Sequence, residues 1–209
     1  MRRLLSREGI GISLVVLAAA ALLLAWAAPN DVTLAGTSKV VYIHGASVWT
    51  AMLALTIAGI TGFVALVWVK RRAVLNVWTL ALSRTGLLFW IATLLVSIIA
   101  SRMAWNAVFL AEPRYTTAFR VLAIGVIVQV IILLVNRSVV SSALHVAQTV
   151  ILWALLLTTP SILHPNNPIL RSVPSIQFFF GLIVLACGVA ALQVARLISG
   201  FAPKARISE

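Results

Sequence analysis

Three histidines stand in a chain otherwise short of groups able to do chemistry. His44 lies in VVYIHGASVW, His164 in PSILHPNNP and His145 in SSALHVAQ. The carboxylates are only Glu8, Asp31, Glu112 and Glu209, which is little material for a carboxylate-bound di-metal site or a proton-relay pump. Two neutral imidazoles facing one another across a bundle, by contrast, hold haem iron with no carboxylate needed. The single cysteine, Cys187, excludes an internal disulfide and reads as a small core residue. The chain has no C-x-x-C-H, so haem is not held covalently in the c-type manner. A second stretch of interest is Ala104–Phe119, AWNAVFLAEPRYTTAF, which sets Trp105, Phe109 and Tyr115 beside Glu112, Pro113 and Arg114. A connection between membrane spans needs only turn residues. Aromatic side chains there lie on the membrane interface, on another loop, or on a flat apolar ligand.

The elements that position these residues follow from composition. Of 209 residues 62% are hydrophobic, and the mean hydropathy is +1.11. A soluble domain is nearer 45–50% apolar, so lipid is the solvent for most of this chain. The apolar runs are too long and continuous for barrel strands, which alternate. The sequence predicts an all-α membrane protein, a six-transmembrane-helix bundle with both termini cytoplasmic. It forms one domain over residues 1–209, with no internal repeat or low-complexity segment. The spans are expected at Ile10–Ala28, Ser47–Val69, Val77–Ser101, Phe119–Val135, Ser142–Thr159 and Ile176–Leu197. The basic start and first apolar run resemble a signal peptide, but Pro29 after Ala28 spoils the small-residue cleavage site, so a retained span is expected.

Charge sets the orientation. The segments expected inside hold Arg2, Arg3, Arg7, Lys70, Arg71, Arg72, Arg137, Arg196, Lys204 and Arg206. Those expected outside hold Lys39, Arg102, Arg114, Arg120 and Arg171, and Arg84 lies within the third span, to snorkel or to pair inside the bundle. The formal charge of +12 is dispersed at the ends of apolar runs, which argues against a nucleic-acid partner and for lipid headgroups. The outer cations exceed what topology requires and point to an anionic ligand on that side. By this topology His44 and His164 share the outer face with the aromatic loop. His145 lies near the other face, roughly 25–30 Å away, and is read as structural. Two histidines can then ligate iron above and below a porphyrin, with Trp105, Phe109 and Tyr115 covering the ring. Arg102, Arg114 or Arg171 can meet the propionates.

At this point the residues resemble a known family, the haem-handling membrane proteins of cytochrome c maturation, of the CcmC and CcsA type. YIHGASVW resembles the family's segment at its first outer histidine, commonly Tyr-Ile-His-x-x-Ser-x-Trp. ILHPNNP resembles the segment around the second, and WNAVFLAEPRYTT falls where the family has its tryptophan-rich loop, WGTWWVWDARLTS. In register, Trp105 matches the first tryptophan, Arg114 the arginine and Thr116 the threonine. Glu112 falls at the aspartate, while the later tryptophans fall on Val108, Phe109 and Ala111. The resemblance covers most of the chain. It implies non-covalent haem b at the extracytoplasmic face of a prokaryotic cytoplasmic membrane, with His44 and His164 as axial ligands. The loop residues Trp105, Phe109, Glu112, Arg114 and Tyr115 would contact the ring. The implied role is haem export or delivery to an acceptor during cytochrome c biogenesis, a transfer function rather than an enzymatic one. The replaced indoles leave open an alternative: a membrane b-type cytochrome or haem-bearing anchor subunit of a larger electron-transfer complex. A haem-free anchor is a third possibility. A transporter has little support, since no span carries paired Gly/Pro breaks.

Overall fold

A computed structural model of the chain describes residues 7–159, 169 and 171–200. It contains six α-helices: α1 (Arg7–Ala27), α2 (Ser38–Val67), α3 (Arg72–Trp105), α4 (Pro113–Val135), α5 (Ser138–Thr158) and α6 (Pro174–Gly200). Each is long and apolar enough to cross a membrane, and the described residues include no strand. Helices are the form such runs take in lipid, because every backbone group is then satisfied within its own segment. The lipid-facing surface is correspondingly apolar, with Val15, Leu22, Leu134 and Leu157 well exposed.

Helix ends follow local chemistry rather than hydropathy. The α2 helix begins nine positions before the expected Ser47, at Ser38, so His44 lies inside a helix instead of leading into one. This entry is tied down by side chains: the Ser38 hydroxyl accepts from the Asp31 amide at 3.1 Å, and the Tyr42 hydroxyl donates to the Pro29 carbonyl at 2.9 Å. Lys39 reaches back to the Ala28 carbonyl at the end of α1. The aromatic stretch is also more helical than a loop. Trp105 closes α3, Asn106 takes the left-handed conformation (φ 53°) that stops it, and α4 starts at Pro113 with Glu112 extended before it. Only residues 106–112 lie outside helices. At the opposite end, Arg72 donates to the carbonyls of Ala65 and Leu66, satisfying orphan acceptors at the end of α2.

The α2 helix is the spine, packed against α1, α3, α5 and α6. Small residues let the backbones close in, as packing between helices in lipid requires. A β-carbon at Gly59 would stand 2.3 Å from Thr149 Oγ1 on α5, and one at Gly62 would stand 2.9 Å from the Ser142 carbonyl. One buried cluster joins α2, α3, α4 and α5 through Leu55, Leu87, Trp90, Tyr115 and Leu152. The other joins α1, α2 and α6 through Ala25, Tyr42, Ile176 and Ile183, with Ile169. Two indoles cross-brace the first: Trp90 donates to the Ala118 carbonyl at 2.9 Å, and Trp153 to Thr56 Oγ1 at 3.0 Å.

Candidate functional site

The site builds from α2 and α3 at the end of the bundle that carries the 106–112 loop. His44 is half-buried on α2, and its Nδ1 lies 3.1 Å from Ser97 Oγ on α3. Ser97 sits eight positions before Trp105, so the imidazole lies about 12 Å below the start of the loop along the helix. The next residue, Gly45, is closed over by α6 and by the third connection. A β-carbon there would meet Phe180 at 3.2 Å and Ile169 at 3.5 Å. His164 lies outside the described residues, five positions before Ile169 and five after Thr159. Thr159 itself is held at the loop end by its hydroxyl, 2.7 Å from that of Thr117 at the start of α4.

The expected loop residues divide into three groups. Trp105 and Phe109 are exposed and face one another with ring centroids 6.5 Å apart. Glu112 and Arg114 form an ion pair, both partly exposed. Tyr115 turns the other way: it is buried in the core between α3 and α4, and its hydroxyl lies 2.7 Å from Ser101 Oγ. Val108, one of the positions where the resembled family has tryptophan, packs against the same core. So the loop presents a short aromatic crest, Trp105 and Phe109, and is anchored beneath by Val108 and Tyr115. Arg102 is exposed on the last turn of α3, where its charge complements the helix dipole. Arg171 is exposed just ahead of α6.

Beside Arg171, Ser172 donates to Asp31 Oδ2 at 2.8 Å, clasping the connection before α6 to the one between α1 and α2. The Thr33 hydroxyl also donates to Asp31 and is the main reason that carboxyl titrates below its ordinary value, outweighing partial burial. The sequence does not announce this clasp. A position 141 residues distant gives no local signal.

No family model and no curated protein matches the chain. Its chemistry is therefore read from its own side chains. Among the described residues no group of three or more His, Cys, Asp or Glu converges as a metal site. Ser97 engages the Nδ1 of His44, and a hydrogen-bonded second nitrogen is the usual support of an imidazole that ligates through the other. Exposed aromatic and cationic side chains, Trp105, Phe109 and Arg102, stand at the same end.

His145 belongs to a different assembly. It is buried in α5, and its Nδ1 lies 2.7 Å from the Ser141 carbonyl. A carbonyl can only accept, so Nδ1 carries the hydrogen and Nε2 faces Gln129 Nε2 at 3.5 Å. Gln129 also bonds Ser83 and Arg84, and Ser83 reaches Gln148 at 3.3 Å. The sequence signal for this polar string was available: Gln129 and Gln148 interrupt apolar runs, and His145 and Gln148 share a helix face.

Proposed function

We propose that this protein handles haem at a prokaryotic cytoplasmic membrane. It binds haem b non-covalently at the extracytoplasmic end of the bundle and passes it to an acceptor in cytochrome c maturation. His44 and His164 would hold its iron, both termini would lie in the cytoplasm, and Arg102, Arg114 or Arg171 would receive the propionates. The observation that carries this reading is the His44–Ser97 pair on α2 and α3. It fixes one imidazole two turns below an aromatic crest, while Ile169, shortly after His164, packs beside the neighbouring Gly45. Haem, when bound, supplies an iron able to exchange ligands and electrons. The protein's own part is to orient one ring nitrogen, cover the porphyrin with Trp105 and Phe109, and balance its acid groups. The outer excess of positive charge supports the same end as the anion-binding one.

One observation favours the second reading, a b-type cytochrome or haem-bearing anchor subunit. The loop is pinned to the core by Val108 and by the Tyr115–Ser101 bond, and it offers less aromatic area than the family it resembles. A pinned loop suits haem that stays. The two readings separate in one experiment. Purified protein loaded with haem is mixed with an apo-cytochrome acceptor, and absorbance of each partner is followed after separation. Transfer within minutes supports delivery, and haem retained through repeated reduction and oxidation supports the anchored cytochrome. Failure of the purified protein to take up haem at all overturns both.

A further inference from the structure

At the other end of the bundle Arg84 stands twelve positions into α3, half-buried against α4, with its Nε donating to Gln129 Oε1 at 3.1 Å. Among the described residues no carboxylate pairs with it; Asp31 and Glu112 belong to the loop end, and Glu8 starts α1. A cation inside an apolar bundle calls for a counter-charge. Its bonded partner is neutral: Gln129 continues to Ser83 and His145, and Ser83 to Gln148, in a string of donors and acceptors. Within that string the Gln148 amide nitrogen, on a residue 4% exposed, has no hydrogen-bond partner. The charge held beside Gln129 thus points to a missing counter-ion, an anion that also accepts hydrogen bonds.

We infer that the Arg84–Gln129 constellation is a binding site for the phosphate headgroup of an anionic phospholipid drawn in between α3 and α4. Depth favours a lipid source. Gln129 lies six positions from the end of α4 and His145 seven from the start of α5, about 10 Å by helical rise. Helical side chains lean toward their N-terminus, so Arg84 reaches toward Arg72 and the same membrane surface. There Lys70 and Arg71 are exposed beside Trp68 and gather anionic lipid at the entrance. The site is independent of haem, so its failure leaves the proposed function untouched.

The test is native mass spectrometry of the full chain in detergent, titrated with phosphatidylglycerol or phosphatidylcholine. The wild type is expected to hold the first about tenfold more tightly, the scale of one charge-assisted contact. Arg84→Gln should lose that preference and Arg84→Lys should keep most of it. The sharper variant is Gln129→Glu, which supplies the missing carboxylate within the bundle. It should fold with unchanged helical circular dichroism and lose the preference for phosphatidylglycerol. An unaltered preference in Gln129→Glu or Arg84→Gln overturns the site. Displacement of bound phosphatidylglycerol by millimolar inorganic phosphate would overturn its assignment to lipid.

Discussion

The Ser97 hydroxyl holds His44 Nδ1 at 3.1 Å, and nothing near either residue in sequence announces the pairing, since the two are 53 positions apart. Removing such a second partner of a ligating imidazole typically costs 10–100-fold in affinity. Ser97→Ala is therefore expected to bind haem at least about tenfold more weakly in a spectroscopic titration, while Ser97→Thr stays near wild type. Asp31 acts at the same scale on stability. Its folded pKa lies below the ordinary 3.8, so its contribution is complete above that value and is lost as pH falls through the folded one. The wild type should melt higher than Asp31→Asn at neutral pH, and the gap should close as the pH is taken below 3.8. A gap that is constant with pH would show that the bonds from Thr33 and Ser172 to Asp31 do not depend on its charge. The histidines and the loop were legible in the sequence because residue type alone limits their chemistry. Their partners were not, because Ser97 and Ser172 become significant only when another helix or loop meets them.

At the scale of elements, hydropathy located every span and placed each start too late. It reports the apolar slab, whereas α2 starts where Ser38 and Tyr42 find partners in the first connection, and α3 stops where Asn106 turns left-handed. That is why Ala104–Phe119 reads as a loop in sequence while both its flanks are helix, and why Tyr115 faces the core. Interhelical distance is set by small residues, and the effect is testable at two glycines. Gly59→Ala forces its new methyl onto Thr149, a stiff β-branched side chain that also donates to the Leu55 carbonyl at 2.8 Å. It should cost about 1–3 kcal/mol in detergent unfolding. Gly181→Ala on α6 meets nothing within 4 Å and should be neutral or slightly stabilising. Equal losses at both positions would mean that helix approach is not limited by side-chain volume.

For the whole molecule, the six spans separate two polar assemblies. One is half-open, at the aromatic end, and built around His44. The other is buried, toward the basic end, and runs from Arg84 to Gln148. The division separates the histidines: His145, enclosed between Ser141 and Gln129, braces α4 against α5, and His44, half-buried, joins α2 to Ser97 on α3. The central claim is that His44 and His164 share one iron. It is tested most directly by the absorption and electron paramagnetic resonance spectra of haem-loaded protein, with His44→Gly, His164→Gly and His145→Gly compared. A low-spin bis-imidazole signal is expected in the wild type and in His145→Gly. Each outer variant should turn high-spin or lose haem, and added imidazole should restore the low-spin signal. A wild-type spectrum in either His44→Gly or His164→Gly would contradict the claim.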